Sequence, residues 1–199
     1  MRNLIAFAAI ALAACATTQA TPPTQSWQQV ATDSDRQRLR DWRTAFTAAL
    51  DQARTTNSAD IAREGKLLDP DAAIGGVPIP NGNYRCRTIK VGAKSAGLLN
   101  YVAYPAFRCR IEHGKAQRFT KLTGSQRPVG LIYPADALRQ VFLGSMVLGD
   151  ETTAYQYGRD QDRDIAGWVE RIDERRWRMV LPYPHYESTL DVIELIPEQ

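Results

Sequence analysis

The chain has 199 residues, including 25 Lys or Arg and 22 Asp or Glu, which gives a formal net charge of +3 at pH 7. Positive and negative residues are interspersed without a long basic run, which disfavours a nucleic-acid-binding protein. The length fits one domain with a sizeable apolar core after an N-terminal leader.

The first residues are typical of a bacterial lipoprotein leader. An apolar run at residues 4–11, far shorter than the roughly 20 residues of a membrane-spanning helix, precedes Leu12-Ala13-Ala14-Cys15, which matches a lipobox. We therefore expect residues 1–14 to be a signal peptide and Cys15 to be lipidated, so that acyl chains hold the protein to a membrane. An ordinary secretory signal cleaved nearby is the alternative. By resemblance to Gram-negative lipoproteins, Ala16 implies the outer membrane, with the domain facing the periplasm.

A flexible tether and a helical segment are predicted next. Residues 15–30 are rich in Thr, Gln and Pro and lack charge, which is typical of a tether. Residues 31–75 are predicted to be helical. A first helix is expected from 33 to about 55, with Asp33 or Ser34 as its N-cap, and a short second helix from Asn57 or Ser58 to Glu64, ended by Gly65. The apolar stripe of the first helix consists of Leu39, Trp42, Phe46, Ala49 and Leu50.

Residues 76–199 are predicted to form an antiparallel β-domain, and residues 31–199 together one globular unit. Many short strands without intervening helices favour a meander that closes on itself. The fold class is therefore mainly β with an N-terminal helix (α+β): a small lipocalin-like β-barrel or curved sheet, with a β-sandwich as the alternative. Hairpin turns are expected at 112–115 and 173–175. The predicted strands lie near residues 84–91, 99–111, 118–122, 129–133, 141–148, 153–157, 166–172, 177–181 and 190–196.

Cys86 and Cys109 are predicted to form a disulfide. The chain has three cysteines, and lipidation of Cys15 leaves this pair in a compartment that permits disulfides. Both lie in matching segments, Tyr84-Arg85-Cys86-Arg87 and Phe107-Arg108-Cys109-Arg110. Paired antiparallel strands could bring the sulfurs together, with the aromatic and cysteine on one face and the arginines outside. A redox pair lacks Cys-x-x-Cys spacing, and a metal site lacks nearby histidines.

No catalytic motif is found. The chain contains no nucleophile elbow, zinc-binding His-Glu-x-x-His, phosphate-binding Gly-rich loop or dinucleotide fingerprint. Of its two histidines, His113 is expected to be solvated in a turn, and His185 is expected to have a structural role. We predict no catalytic residue, no cofactor and no metal ligand.

Three polar segments are candidates for ligand or partner binding. Residues 122–128 contain Ser125, Gln126 and Arg127, which could hold a carboxylate or phosphate through Arg127 and the loop amides; the alternative is a turn whose hydroxyls cap their own backbone. Asp150 and Glu151 are adjacent, so they point to opposite sides of a strand and do not form an acid–base pair by spacing alone.

The third segment, residues 157–164, places Asp160, Asp162 and Asp164 at alternate positions, as a calcium loop does. It departs from an EF-hand loop because Ile165 replaces the turn glycine and Arg171 replaces the bidentate glutamate. An acid–arginine network that includes Arg163 is therefore predicted rather than a metal site.

Taken together, several segments resemble one family, the domain of unknown function 4893 of Gram-negative bacteria. The resemblance covers nearly all of the chain after the tether and implies a secreted, compact domain. It carries over no activity, cofactor or site residue. The segments are Asp35-Arg36-x-Arg38-Leu39-Arg40-x-Trp42-Arg43, Leu67-Leu68-Asp69-Pro70, the two Cys segments, Thr123-Gly124-Ser125-Gln126-Arg127-Pro128-Val129-Gly130, Phe142-Leu143-Gly144, Gly149-Asp150-Glu151, Val169-Glu170-Arg171-Ile172, Trp177-Arg178 and Asp191-Val192-Ile193-Glu194-Leu195.

These patterns favour a non-enzymatic periplasmic lipoprotein, anchored to the outer membrane through Cys15 and expected to be a monomer. Its β-domain would bind a small or lipid-like ligand or an envelope protein. The alternative is an envelope hydrolase acting on peptidoglycan or lipid through a carboxylate pair, for example Glu151 with an aspartate of residues 160–164.

Overall fold

Antiparallel strands make up most of the structure, a computed structural model that describes residues 25–114 and 116–198. The lipobox, Cys15 and most of the predicted tether lie outside the described residues. The strands, in chain order, are β1 (Gly82–Ala93), β2 (Tyr101–Ala103), β3 (Phe107–His113), β4 (Gln117–Lys121), β5 (Gln126–Pro134), β6 (Arg139–Leu148), β7 (Asp164–Asp173), β8 (Arg176–Pro182) and β9 (Ser188–Pro197).

Eight of these strands close into a barrel. Strand β1 pairs with β3, and from β3 to β9 each strand pairs with the next one in the chain. Strand β9 returns to pair with β1, from Tyr84↔Pro197 to Ala93↔Ser188, and so closes the barrel. The remaining strand, β2, pairs with the second half of β1, from Ile89↔Ala103 to Val91↔Tyr101. The predicted barrel is thus confirmed, and a sandwich of two separate sheets is excluded because closure leaves one continuous sheet.

Two of the strand predictions were wrong. Residues 153–157 form no strand, because β6 pairs directly with β7 and leaves these β-prone residues in a loop. The predicted strand at 99–111 is divided into β2 and β3 around Pro105, which has no amide hydrogen for a sheet ladder.

The cysteine prediction is confirmed. Cys86 on β1 and Cys109 on β3 form a disulfide with a Cα–Cα distance of 6.1 Å, and both face the barrel interior. Their flanking arginines face outward, as the strand alternation predicts. Arg85, Arg108 and Arg110 are exposed, whereas Arg87 is half-buried and paired with Glu64 and Glu194.

The helical segment contains α1 (Trp27–Val30), α2 (Asp33–Arg40), α3 (Trp42–Glu64) and a short 3₁₀ helix (Gly65–Leu68). The N-cap of α2 is Thr32, not Asp33 or Ser34, since its hydroxyl accepts the Asp35 amide at 3.2 Å. Within the predicted first helix the chain turns at Asp41, and α3 is kinked at Asn57, the expected start of the second helix. Gly65 ends α3 with φ of +53°, a conformation that favours glycine.

The first helix, α1, lies inside the stretch expected to be a flexible tether. Trp27 packs edge-on against Trp168 of β7 with ring centroids 6.0 Å apart. Residues 27–30 are therefore part of the folded domain, which begins before residue 31. Among the described residues, no helix is both long and apolar enough to cross a membrane.

The apolar core has two layers. One fills the barrel, and the other lies between the outer face of the barrel and the helices. The apolar stripe predicted for the first helix is buried in the outer layer. Residues of the outer layer on the barrel side are Ile89, Val91, Val141, Leu143, Trp168, Val180, Leu190 and Val192.

Candidate functional site

The two ends of the barrel are built differently. Tight connections join β3 to β4, β5 to β6 and β7 to β8 at one end. The longest connections, residues 94–100 and 149–163, lie at the other end together with 104–106, 122–125 and 183–187. Because loops can vary without disturbing a barrel, such an end is where a binding site is most often found.

The end with tight turns is closed by Ile79. This side chain is 1% exposed and belongs to the interior cluster. Its amide donates to Gln140 Oε1 at 3.0 Å, and its carbonyl accepts from Gln117 Nε2 at 2.5 Å. The Tyr84 hydroxyl donates to the next carbonyl, that of Pro80, at 2.5 Å. These bonds hold the segment before β1 across the barrel as a plug.

The middle of the barrel is filled by aromatic rings. Phe119 and Phe142 pack edge to face with centroids 5.7 Å apart. Gly130 and Gly144 make room for the second ring, since a Cβ at these positions would lie 2.7 and 2.5 Å from Phe142 ring atoms. In the described part of the barrel, the cavity therefore lies above these rings, toward the open end.

A cavity of about 290 Å³ occupies the open end. Its size is near the lower limit of about 300 Å³ for typical small-molecule sites. The apolar and aromatic side chains of the wall are Tyr104, Pro105, Phe107, Pro128, Met146, Leu181 and Ile193. The polar ones are Thr88, Lys90, Lys121, Thr123, Ser125, Gln126, Glu187 and Asp191.

One charged pair is buried in the cavity wall. Lys90 of β1 and Asp191 of β9, which are 6% and 4% exposed, form an ion pair with an Nζ–Oδ2 distance of 2.9 Å. Glu187 approaches the same ammonium at 3.3 Å, and the Ser188 hydroxyl donates to Asp191. Burial disfavours the ammonium, but the two carboxylates outweigh burial, so the pKa of Lys90 lies above its ordinary value.

Lys121 is the second cation of the cavity. It is the last residue of β4 and lies on the interior face, two residues after Phe119. Its Nζ lies 4.0 Å from the centroid of the Phe107 ring. Within residues 25–114 and 116–198, no carboxylate forms an ion pair with it. Burial and the positive charges of Lys90 and Arg127 lower the pKa of Lys121 to about 8.

The structure places the predicted segment 122–128 at the cavity mouth. Ser125 and Gln126 line the cavity. Arg127 instead lies on the outer side, where its guanidinium donates to the carbonyls of Gly124, Gly149 (2.8 Å) and Glu151 (2.6 Å). Arg127 thus joins two loops of the open end, and the cation that faces the cavity is Lys121.

The candidates Glu151 and Arg163 contact each other. The Arg163 guanidinium donates to both carboxylate oxygens of Glu151, at 2.8 and 3.0 Å, and the Leu148 amide donates to the same carboxylate at 2.8 Å. These hydrogen bonds lower the pKa of Glu151, and the bond from Arg163 has the largest effect. Asp150 is exposed beside this pair. Glu151 therefore contacts an arginine rather than an aspartate of residues 160–164.

The three aspartates of the predicted calcium-like loop make separate contacts. Asp164 is buried and accepts the Gly158 amide at 2.9 Å, whereas Asp160 accepts the Asp162 amide at 3.1 Å. Across the described part of the chain, no three His, Cys, Asp or Glu residues are placed to hold a metal ion. His185 lies 3.8 Å from Asp162, and burial lowers the pKa of its imidazole.

Lys90, Lys121 and Asp191 were not among the predicted site residues. The signal that could have identified them is strand alternation: Lys90 follows Cys86 by four residues, and Lys121 follows Phe119 by two. Once the cysteine face is assigned to the interior, both lysines fall on that face.

A family model described as a domain of unknown function, DUF4893, matches residues 27–195, which include the helices, the barrel and the whole cavity. Searches of the curated proteins and of the solved structures gave no match.

Proposed function

The chain belongs to the DUF4893 family, and we propose that it is a periplasmic lipoprotein, anchored to the outer membrane, whose barrel binds a small lipid-like molecule at its open end. The observation that carries this proposal is the cavity of about 290 Å³, whose wall combines apolar side chains with polar and charged ones. This combination is typical of small-molecule sites. The cavity lies inside the open end of the barrel, between residues of the interior such as Met146, Leu181 and Ile193.

The mouth of the cavity supports an apolar ligand. Large apolar side chains, which are usually buried, are exposed on four loops of the open end, and Leu99 is 72% exposed. A concentration of exposed apolar side chains at one end of a protein often marks a site of interaction. The exposed residues are Leu98, Leu99, Tyr104, Leu122 and Tyr155.

The location rests on the N-terminal sequence, with two supporting observations. The disulfide between Cys86 and Cys109 suits an oxidising compartment. The Thr32 amide donates to the Tyr157 hydroxyl at 3.1 Å, so the helical segment begins beside a loop of the open end. A membrane anchor upstream of residue 25 would therefore reach the domain on the side of its cavity mouth.

An envelope hydrolase would need two convergent carboxylates, and no contact in the described structure favours this function. The Glu151 carboxylate is bound by Arg163, which holds it in the ionised form. The two acidic groups of the cavity, Asp191 and Glu187, both form ion pairs with Lys90, and the Ser188 hydroxyl also donates to Asp191.

Native mass spectrometry of the full-length chain carrying Cys15→Ala, purified without detergent, tests binding. We expect a lipid-like molecule to co-purify, and we expect Ser125→Trp, which fills the mouth, to remove it. Thr47→Trp, at an exposed position of α3, is the matched control. A chain that binds no apolar molecule, either co-purified or added, would contradict the proposal.

The anchor is tested separately in Gram-negative cells. We expect the N-terminal peptide of the unmodified chain to begin at Cys15 and to carry acyl chains on it, and we expect Cys15→Ala to abolish acylation. An N-terminus without acyl chains, produced by cleavage elsewhere, would show that the leader is an ordinary signal peptide.

A further inference from the structure

We infer that the bound molecule is an anionic amphiphile whose carboxylate or phosphate contacts Lys121 while its apolar chain enters the barrel. The inference rests on the proposed function and specifies its ligand class. It assigns to Lys121 the role of head-group receptor.

The two cavity lysines differ in their partners. Lys90 is held by Asp191 at 2.9 Å and Glu187 at 3.3 Å, so its charge is already compensated. Lys121, which lines the same cavity, contacts the Phe107 ring and forms no ion pair with any residue of the described ranges. A ring face compensates an ammonium only partly. The cavity therefore offers one cation that an incoming anion can bind.

Polar groups of the 122–125 loop lie next to this cation. A Cβ on Gly124 would lie 3.5 Å from Lys121 Nζ, which shows how closely the loop backbone approaches the ammonium. Gly124 has φ of +93°, so this approach depends on glycine. Ser125 and Gln126 also line the cavity and can donate hydrogen bonds to a head group. Charge-assisted hydrogen bonds of this kind are stronger than neutral ones.

The surroundings of Lys121 restrict the ligand further. Met146, Leu181 and Ile193 line the same cavity and favour an apolar chain. Asp191 and Glu187 also line it, and they would repel an anion with several charges. The guanidinium of Arg127, whose charge also acts on Lys121, is bound by backbone carbonyls outside the cavity. A single anionic group with an apolar chain fits this arrangement better than a free multivalent ion does.

Isothermal titration calorimetry of the full-length chain with Cys15→Ala tests the inference at pH 7. The probes are decanoate, decyl phosphate, decanol and inorganic phosphate. We expect decanoate and decyl phosphate to bind about tenfold or more tightly than decanol, the factor that a hydrogen bond to a charged group supplies. Inorganic phosphate, which lacks an apolar chain, is expected to bind more weakly than decyl phosphate.

Two variants test whether Lys121 causes the preference for an anionic head group. Lys121→Met, which keeps the length of the side chain, should reduce decanoate binding to the level of decanol. Arg118→Met removes the same charge from the exposed outer side of β4 and should leave the preference intact. Thermal unfolding of each variant checks that the barrel is folded.

The possible outcomes separate this inference from the proposed function. If decanol binds the starting chain as tightly as decanoate, the anionic ligand class is wrong but an apolar site remains. If Lys121→Met keeps the preference, or inorganic phosphate alone binds as tightly as decyl phosphate, the inference is overturned. If no apolar probe binds, both proposals fail. The comparison of probes on the starting chain needs no variant, so a poorly folded Lys121→Met would not prevent the test.

Discussion

The Arg178 guanidinium and the Glu170 carboxylate form an ion pair on the outer surface of the barrel, with an Nη2–Oε2 distance of 2.6 Å and both side chains fully buried. A second nitrogen of Arg178 donates to the carbonyls of Lys66, Leu67 and Asp69, at 3.1, 2.9 and 2.7 Å. The pair thus joins the end of the helical segment to strands β7 and β8.

Replacement of Glu170 by glutamine should destabilise the domain. The change leaves the buried Arg178 charge without its carboxylate, and breaking such a pair costs about 3–5 kcal/mol. Urea unfolding followed by tryptophan fluorescence measures the effect. Glu174→Gln, in the exposed turn after β7, is the matched control and should change stability by no more than about 0.5 kcal/mol. Equal stability of the two variants would show that the pair does not hold the helices to the barrel.

Gly144→Ala should be poorly tolerated. A Cβ there would lie 2.4 Å from the Val129 carbonyl oxygen and 2.5 Å from the Phe142 ring, so the strand or the ring must move. Overpacking of this kind costs about 1–3 kcal/mol. A fall in the melting temperature measures this destabilisation. Gly114→Ala is the control, because the nearest atom to its Cβ would be 3.7 Å away. Similar melting temperatures would mean that the barrel interior is less tightly filled than described.

Removal of the disulfide should lower stability by about 3 kcal/mol, the chain-entropy value for a loop of this length. Cys86 and Cys109 are separated by 23 positions in the sequence. The double variant Cys86→Ala/Cys109→Ala should show this loss in urea unfolding, and the oxidised parent should show no reactive thiol at either position after denaturation. Two reactive thiols in the unreduced parent would contradict the disulfide.

Binding of decanoate should weaken as the pH rises through about 8, where free Lys121 loses its proton. A bound anion favours the ammonium and raises its pKa, so affinity falls by up to about tenfold per pH unit above that point. The charged groups that act on Lys121 are Lys90, Arg127 and Asp191. Of these, Lys90 has a raised pKa and stays protonated as the pH passes 8. Calorimetry between pH 7 and pH 9.5 measures the trend; decanol binding should stay constant, and a flat decanoate profile would argue against Lys121.

Trp27→Ala should destabilise the barrel by about 1–2 kcal/mol, because Trp27 buries part of its surface and makes an aromatic contact with Trp168. Gln28→Ala, in the same helix and exposed, is the control. The melting temperature distinguishes them. If both variants have the same melting temperature, residues 27–30 behave as the tether that their composition suggests.

The sequence predicted the barrel because period-two alternation is clear in most strands and because Cys86 and Cys109 mark the interior face. It did not locate the lysines of the cavity, since polar residues on a strand are ordinarily assigned to the solvent face, whereas Lys90 and Lys121 point inward at the barrel mouth. Local pattern could not reveal the Arg178–Glu170 pair either, because the outer face of β7 and β8 is covered by a helical segment distant in sequence.

Residues 153–157 form a loop, although their local pattern predicted a strand. Their Thr and Tyr residues favour a strand, but a strand needs a neighbouring strand to pair with, and β6 and β7 already pair with each other. Tyr157 instead bonds to Thr32 and Asp35 of the helical segment. Contacts between distant parts of the chain thus decided the structure of this segment.

The plug formed by Ile79 has a consequence for exchange of the bound molecule. With one end of the barrel closed and its middle filled by Phe119 and Phe142, the described residues leave the interior open at the other end. On the proposed function, a molecule taken up there would leave by the path on which it entered, and a second could not follow until the first had gone. The barrel would then act as a holder that loads and unloads at one surface, and not as a passage from one side of the protein to the other.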